Sequence, residues 1–193
     1  MRRIVPIVEG YGDNAAFPHL IAKLGLHFEL QLISTTPIRV GEWKKLARIG
    51  ELERALELAH RRNCDHILVA LDLDDGCAVT EGNSVQDRIE TWKNGRQIDV
   101  SLVFLIREYE SLFLFSAESF SEDAALVSES IKFAEASRDA KRMLRKLTKR
   151  RYKETQDQAE YTKRLNLQLL LQRCRSFRKL AKDLTGLSYD QLL

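Results

Sequence analysis

Apolar residues run in short blocks along the first half of the chain, with helically spaced apolar positions between the blocks. Residues 4–8 form a β-branched run that ends at Glu9-Gly10, which predicts a buried strand entering a tight turn. Phe17, Leu20, Ile21 and Leu24 then recur at helical spacing, predicting a helix capped by Asp13 or Asn14 and closed by Gly25. Residues 28–33 (FELQLI) alternate like a second strand, and STTP with Gly41 predicts a loop. From residue 42 to about 62 the pattern is helical, with Leu46, Ile49, Leu52, Leu56 and Ala59 on one stripe and fraying expected around Gly50. Residues 66–71 (HILVAL) are the most continuous apolar run of this half, as in a central strand covered on both faces. A polar loop at 80–84 precedes a predicted helix at 85–93, and 100–106 reads as a fourth strand.

This alternation of strand and helix predicts an α/β fold, with right-handed crossovers and a mainly parallel central sheet of about four strands flanked by helices. Beyond Ser116 no strand is predicted. Residues 122–136, 137–151 and 165–187 read as helical, separated by the polar stretch KETQDQAEYTKR. The expectation is an α/β core over 1–116 and a helical extension over 117–193 that shares the core's crevice, the two packed as one structural domain.

Composition narrows the class. A chain of 193 residues, 44% hydrophobic and 31% charged, is long enough for a genuine core and is not of disordered type. The net charge of +3 does not mark a polyanion binder, but its distribution is uneven. Acids mark the strand ends of the first half, whereas MLRKLTKRRYK and RCRSFRKLAKDL are densely basic. Cys64, Cys77 and Cys174 are odd in number and widely spaced, which argues against a disulfide framework or a structural zinc site and makes a reducing cytoplasm the default. MRR runs straight into a short strand without a signal-peptide pattern, and no apolar run approaches the roughly 20 residues of a membrane span.

The chemistry is concentrated at two strand ends. Glu9 and Asp13 stand four apart across a turn entering a helix. Asp72 and Asp74 are alternate residues, whose side chains share a face at the end of a strand. In a parallel sheet such ends open on one crevice, where hard carboxylate oxygens suit Mg²⁺ or Mn²⁺, one ion or two. Either pair alone also fits a solvated turn. Glu108 and Glu110, just past the fourth strand, complete the crevice or else cap a helix and pair with Arg107. The basic segment 142–153, including Lys149 and Arg150, is either a solvated helix face or a track for a nucleic-acid backbone.

The segments VEGYGD and ALDLDD resemble the TOPRIM domain, the metal-binding fold of topoisomerases, bacterial primases and OLD-family nucleases. The closer resemblance is to a group of small bacterial TOPRIM-like proteins, the DUF4276 family. It is carried by VEGYGDNAAFPHLI, LVALDLDDGC, REYESLFLF, YKETQDQAEYTKRLN and CRSFRKL, and runs over nearly the whole chain. The resemblance implies a Rossmannoid α/β fold in which Glu9 is a metal ligand or general acid/base and Asp72 and Asp74 hold Mg²⁺ or Mn²⁺. Asp13 takes the place of a second acid that is generally glutamate, one methylene longer. A late catalytic lysine is implied too, with Lys179 the candidate by location and Arg178 beside it. The expected activity is metal-dependent phosphodiester cleavage of DNA or RNA, with Arg178, Lys179, Lys149 and Arg150 on the nucleic acid. By analogy the chain is an effector of anti-phage defence beside an ABC/SMC-type ATPase, with a homodimer among its open assemblies. Two alternatives stand beside this one: a catalytically silent TOPRIM-like scaffold, and nucleotidyl transfer of the primase kind.

Overall fold

The computed structural model describes residues 1–46, 48–73, 77–136 and 139–193, with backbone alone at 135 and 136. In chain order the elements are β1 (Arg2–Val8), α1 (Tyr11–His27), β2 (Leu32–Ser34), β3 (Ile38–Arg39), α2 (Trp43–Leu46), α3 (Glu51–His60), β4 (His66–Leu73), α4 (Ala78–Lys93), β5 (Asp99–Ile106) and α5 (Ser111–Phe115). A 3-10 turn at Ala117–Ser119 leads into α6 (Ala124–Ala136), α7 (Ala140–Thr148), α8 (Glu154–Arg164), α9 (Leu167–Arg173), α10 (Arg175–Thr185) and α11 (Tyr189–Leu192).

The sheet runs β2-β1-β4-β5 with every pairing parallel, and β3 joins the far end of β1 beyond β2. Successive strand residues point to opposite faces, so each strand feeds two layers. Ile4 and Val8, Leu68 and Ala70, and Val103 and Leu105 join the cluster of α1, α5 and the C-terminal helices. Val5 and Ile7, Ile67, Val69 and Leu71, and Leu102 and Phe104 join the cluster of α2, α3 and α4. Burial on both faces is why these strands read as continuous apolar runs. Asp72 shares the parity of Leu68 and Ala70, which aims it at the α1 side.

The C-terminal helices close that side. Phe177, Leu180, Ala181 and Leu184 of α10 are buried in it, as are Ala140, Met143, Leu144 and Leu147 of α7. Both sets follow the i, i+3, i+4, i+7 spacing of one helix face. Each Leu or Phe so buried contributes roughly 1.5–3 kcal/mol.

Several local expectations are corrected. α1 starts at Tyr11 with Gly10 at its cap, so Asp13 lies inside the first turn and accepts the Gly10 N–H at 2.9 Å. The helix continues through Gly25 to His27. The second strand is confined to Leu32–Ser34, because residues 28–31 turn out of α1 through a left-handed Glu29. The helix expected over 42–62 is divided into α2 and α3 by Gly50, whose φ of +85° is a left-handed conformation. Ile49 is consequently fully exposed instead of packed. The loop expected at 80–84 lies within α4. The polar stretch taken as a separator is α8, and it packs along α1.

Candidate functional site

Three strands deliver acids to one end of the sheet. β1 runs out at Glu9, β4 carries Asp72 as its penultimate residue, and β5 leads through Arg107 to Glu108 and Glu110. Arg107 is left-handed (φ +74°), a sparsely populated conformation for a residue with a side chain, and its N–H donates to the Leu73 carbonyl at 3.0 Å. That turn ties the end of β5 to β4 just before the two glutamates.

A cavity of about 210 Å³ opens between these strand ends, α7 and α8. Glu9, Asp13, Glu42, Asp72, Glu110 and Glu154 line it with Gln158, and Lys141 is the cation among its lining residues. A larger open depression of about 760 Å³ around Lys23, His27 and Arg164 holds no comparable group of acids.

Glu9 bridges two backbones. Its Oε1 accepts the Asp72 N–H at 2.6 Å and its Oε2 accepts the Trp43 N–H at 2.9 Å, fixing the end of β4 to the start of α2. Asp13 is buried; its Oδ2 takes the Gly10 N–H, and its Oδ1 takes a hydrogen bond from Gln158 Nε2 at 2.6 Å. Burial raises its pKa and Glu154 adds to the rise, against the hydrogen bonds and Lys141. The shorter side chain of Asp13 is thus long enough to reach across to α8.

Asp72 keeps part of its surface open to the cavity. Its carboxyl is nevertheless pushed well above the usual range by burial, and then by Asp13, Glu110, Glu9 and Glu108. Glu110 is only 2% exposed, and its Oε1 has no hydrogen-bond partner. Burial pushes its pKa up to about 7, with Glu108 adding and Lys141 opposing. Glu108, expected at the metal, instead turns its Oε1 to the Ala140 N–H at 2.6 Å and caps α7.

Lys141 organises the other side. Its Nζ lies 3.0 Å from Glu154 Oε2, 3.4 Å from Glu110 Oε1 and 3.8 Å from Glu108 Oε2. Burial opposes its charge, but Glu110, Glu154 and Glu108 outweigh burial and hold the ammonium above the usual lysine range. Lys141, Glu154 and Gln158 are the site residues that strand-end patterning misses. Gln158, Tyr161, Thr162 and Leu165 do form a helical stripe, and all four are buried, but two polar members disguise it. Lys141 carries no comparable signal.

The glycines of VEGYGD have a packing reason. A Cβ on Gly12 would overlap Gln158 Oε1 and stand 2.5 Å from Glu154 Cγ; one on Gly10 would stand 2.8 Å from Glu154 Oε1. Their bare backbone lets α8 approach α1 and bring Glu154 and Gln158 over the crevice.

The remaining expected residues divide. Asp74 lies outside the described residues. Lys179 is not brought to the crevice: it pairs with Asp183 at 2.5 Å on α10 and acts on His66 at the start of β4, the opposite end of the strands. Arg178 donates to the Leu171 and Gln172 carbonyls. Arg150 donates to Asp157 and to the Tyr161 hydroxyl, and Lys149 is the left-handed residue ending α7.

Among the described residues no three His, Cys, Asp or Glu side chains are arranged as closely as a bound ion requires. The donor set is nevertheless one of hard oxygens, with a buried Glu110 oxygen that receives no hydrogen bond and faces Lys141 at 3.4 Å, and mutual repulsion stored on Asp72. That chemistry fits an oxygen-loving divalent cation. No helix among the described residues is long and apolar enough to cross a membrane.

No curated protein and no solved structure matches this chain. One family model does, described as "Domain of unknown function (DUF4276)", and its match over residues 8–185 takes in every strand end and helix that lines the acidic cavity. The chain therefore belongs to the DUF4276 family.

Proposed function

We propose that the chain is a Mg²⁺- or Mn²⁺-dependent phosphodiesterase of TOPRIM type acting on nucleic acid. One observation carries the reading: six carboxylates line a single 210 Å³ cavity at the C-terminal ends of parallel strands, where burial first, and neighbouring carboxylates after it, raise the pKa of Asp72, Asp13 and Glu110. Asp72, Asp13 and Glu110 are the residues that would hold the cation, with Asp74 as the expected fourth. A bound divalent ion supplies a Lewis acid for a phosphoryl oxygen and a water of lowered pKa. The chain's own residues supply the rest. Glu9 holds the end of β4 in place through the Asp72 amide. Lys141 is placed to offset negative charge on a bound phosphate. In this reading the chain serves in the cytoplasm as an effector of phage defence, with an ABC/SMC-type ATPase as partner.

The test is cleavage of labelled DNA and RNA oligonucleotides with Mg²⁺ or Mn²⁺, alongside calorimetric Mn²⁺ binding, for wild type and Asp72→Asn. Loss of both cleavage and Mn²⁺ binding in the variant is expected. Equal cleavage by the two proteins would refute the assignment.

A specific observation favours a second reading, the silent scaffold. Glu9 is engaged by two backbone amides and Lys141 already neutralises part of the cluster, so the acids also serve as a structural ion network. Wild type that shows neither Mn²⁺ heat nor cleavage selects it.

A further inference from the structure

We propose that the cleft between β3, α2 and α3 is the track for the phosphodiester backbone of a single-stranded nucleic acid, leading it into the acidic crevice. This rests on the phosphodiesterase reading for its direction. Its evidence is separate.

The cleft has a volume of about 340 Å³, and its charged lining residues are Arg39, Lys45, Arg48, Arg54 and Glu51. Glu51 pairs with Arg54 at 3.3 Å. Arg39, Lys45 and Arg48 are exposed, and none of the described residues gives them a carboxylate partner. Several prominent cations elsewhere are committed: Arg150 to Asp157, Lys179 to Asp183, Arg173 to Glu118 and Arg88 to Glu53. An uncommitted cation still holds the counterions whose release drives binding to a polyphosphate; a paired one has less to gain.

The cleft and the crevice share a wall. Gly41 lines the acidic cavity, and a Cβ on it would stand 3.4 Å from Lys45 Nζ and 4.0 Å from Arg39 Nη1. Arg39 is paired in register with Val8, the residue before Glu9. Its guanidinium lies 4.1 Å from the centroid of the Tyr11 ring, and Tyr11, the residue after the cavity-lining Gly10, is 66% exposed. An exposed aromatic ring backed by arginine is a surface on which an unpaired base stacks. That feature favours a single strand over an acidic polypeptide, which offers charge but no base.

The experiment measures anisotropy of fluorescein-labelled 20-nucleotide single-stranded DNA and RNA with the full chain in EDTA, over a KCl series. Arg39→Gln/Lys45→Gln removes two phosphate contacts. At about 0.7 counterions per contact for single strands, its salt slope is expected to fall by about 1.4, which at 0.1 M salt is about 25-fold weaker binding. Lys132→Gln/Lys163→Gln removes the same charge from other helices and is expected to bind as wild type. Arg48→Glu, a second exposed position, must also weaken binding; circular dichroism verifies the fold of each variant. Binding by wild type in EDTA with no cleavage once Mg²⁺ or Mn²⁺ is added would sink the catalytic reading and leave this one standing, so the two failures are distinguishable. Four results would overturn it: no binding by wild type, an unchanged affinity in Arg39→Gln/Lys45→Gln, loss of binding in Lys149→Gln/Arg150→Gln or Arg178→Gln/Lys179→Gln instead, or equal competition by polyglutamate.

Discussion

Replacing Glu110 by Gln isolates the electrostatic strain of the crevice. The native carboxyl titrates at about 7, against an ordinary 4.5, because it is 2% exposed, lies near Glu108 and Asp13, and has Lys141 only at 3.4 Å. A folded-state pKa above the unfolded one means that the native state holds the proton more tightly. The stability this provides is complete below pH 4.5 and is lost as pH rises through 7. Over that whole range it amounts to about 3 kcal/mol, of which about 2.5 kcal/mol falls between pH 5 and pH 8. At roughly 2–4 °C per kcal/mol for a chain of this size, wild type should lose about 5–10 °C of Tm relative to Glu110→Gln across that interval. The assay is thermal unfolding of both proteins at half-unit pH steps in EDTA. Comparing the pair matters, because His66 titrates in the opposite sense and is common to both. Parallel Tm profiles, within about 1 °C from pH 5 to 8, would refute the reasoning.

His66, its pKa pushed down to about 4 by burial and Arg2, provides stability that is present above 6.5 and lost as pH falls toward 4. His66→Gln should therefore flatten the acid limb of the melting profile, and an unchanged limb contradicts the assignment. Gly12→Ala should destabilise by about 1–3 kcal/mol, since the added Cβ meets Gln158 and Glu154, outweighing the better helix propensity of Ala. Gly82→Ala in α4 meets Phe104 no closer than 3.6 Å and should gain up to about 1 kcal/mol; denaturant titration of the two variants, moving midpoints in opposite directions, checks the pair.

β1, β4 and β5 were legible because burial on both faces leaves a continuous apolar run that no turn interrupts. The convergence of Glu9, Asp13 and Asp72 was legible for a related reason: parallel strands must end together. β2 was not, since it is three residues long and half-exposed, with little to distinguish it from a loop. The break between α2 and α3 was only partly visible, because Gly50 signals fraying while Ile49 keeps the apparent stripe intact. α8 escaped because Gln158 and Thr162 are buried for their hydrogen bonds, to Asp13 and Tyr109, and not for apolar area. Lys141 meets Glu108 and Glu110, some thirty residues earlier, only after α7 docks, a relation that local spacing does not encode.

Glu9 accepts from the Trp43 backbone as well as from Asp72. The Trp43 indole is nearly buried, edge-on to Phe104 at 5.7 Å between ring centroids. With Trp92 as the chain's other indole, a Trp92→Phe protein carries a single tryptophan, selectively excited above the tyrosine band and hinged to the acid that ends β1. Any occupant that draws on Glu9 must therefore be felt at Trp43, and its emission offers a label-free view of when the pocket fills.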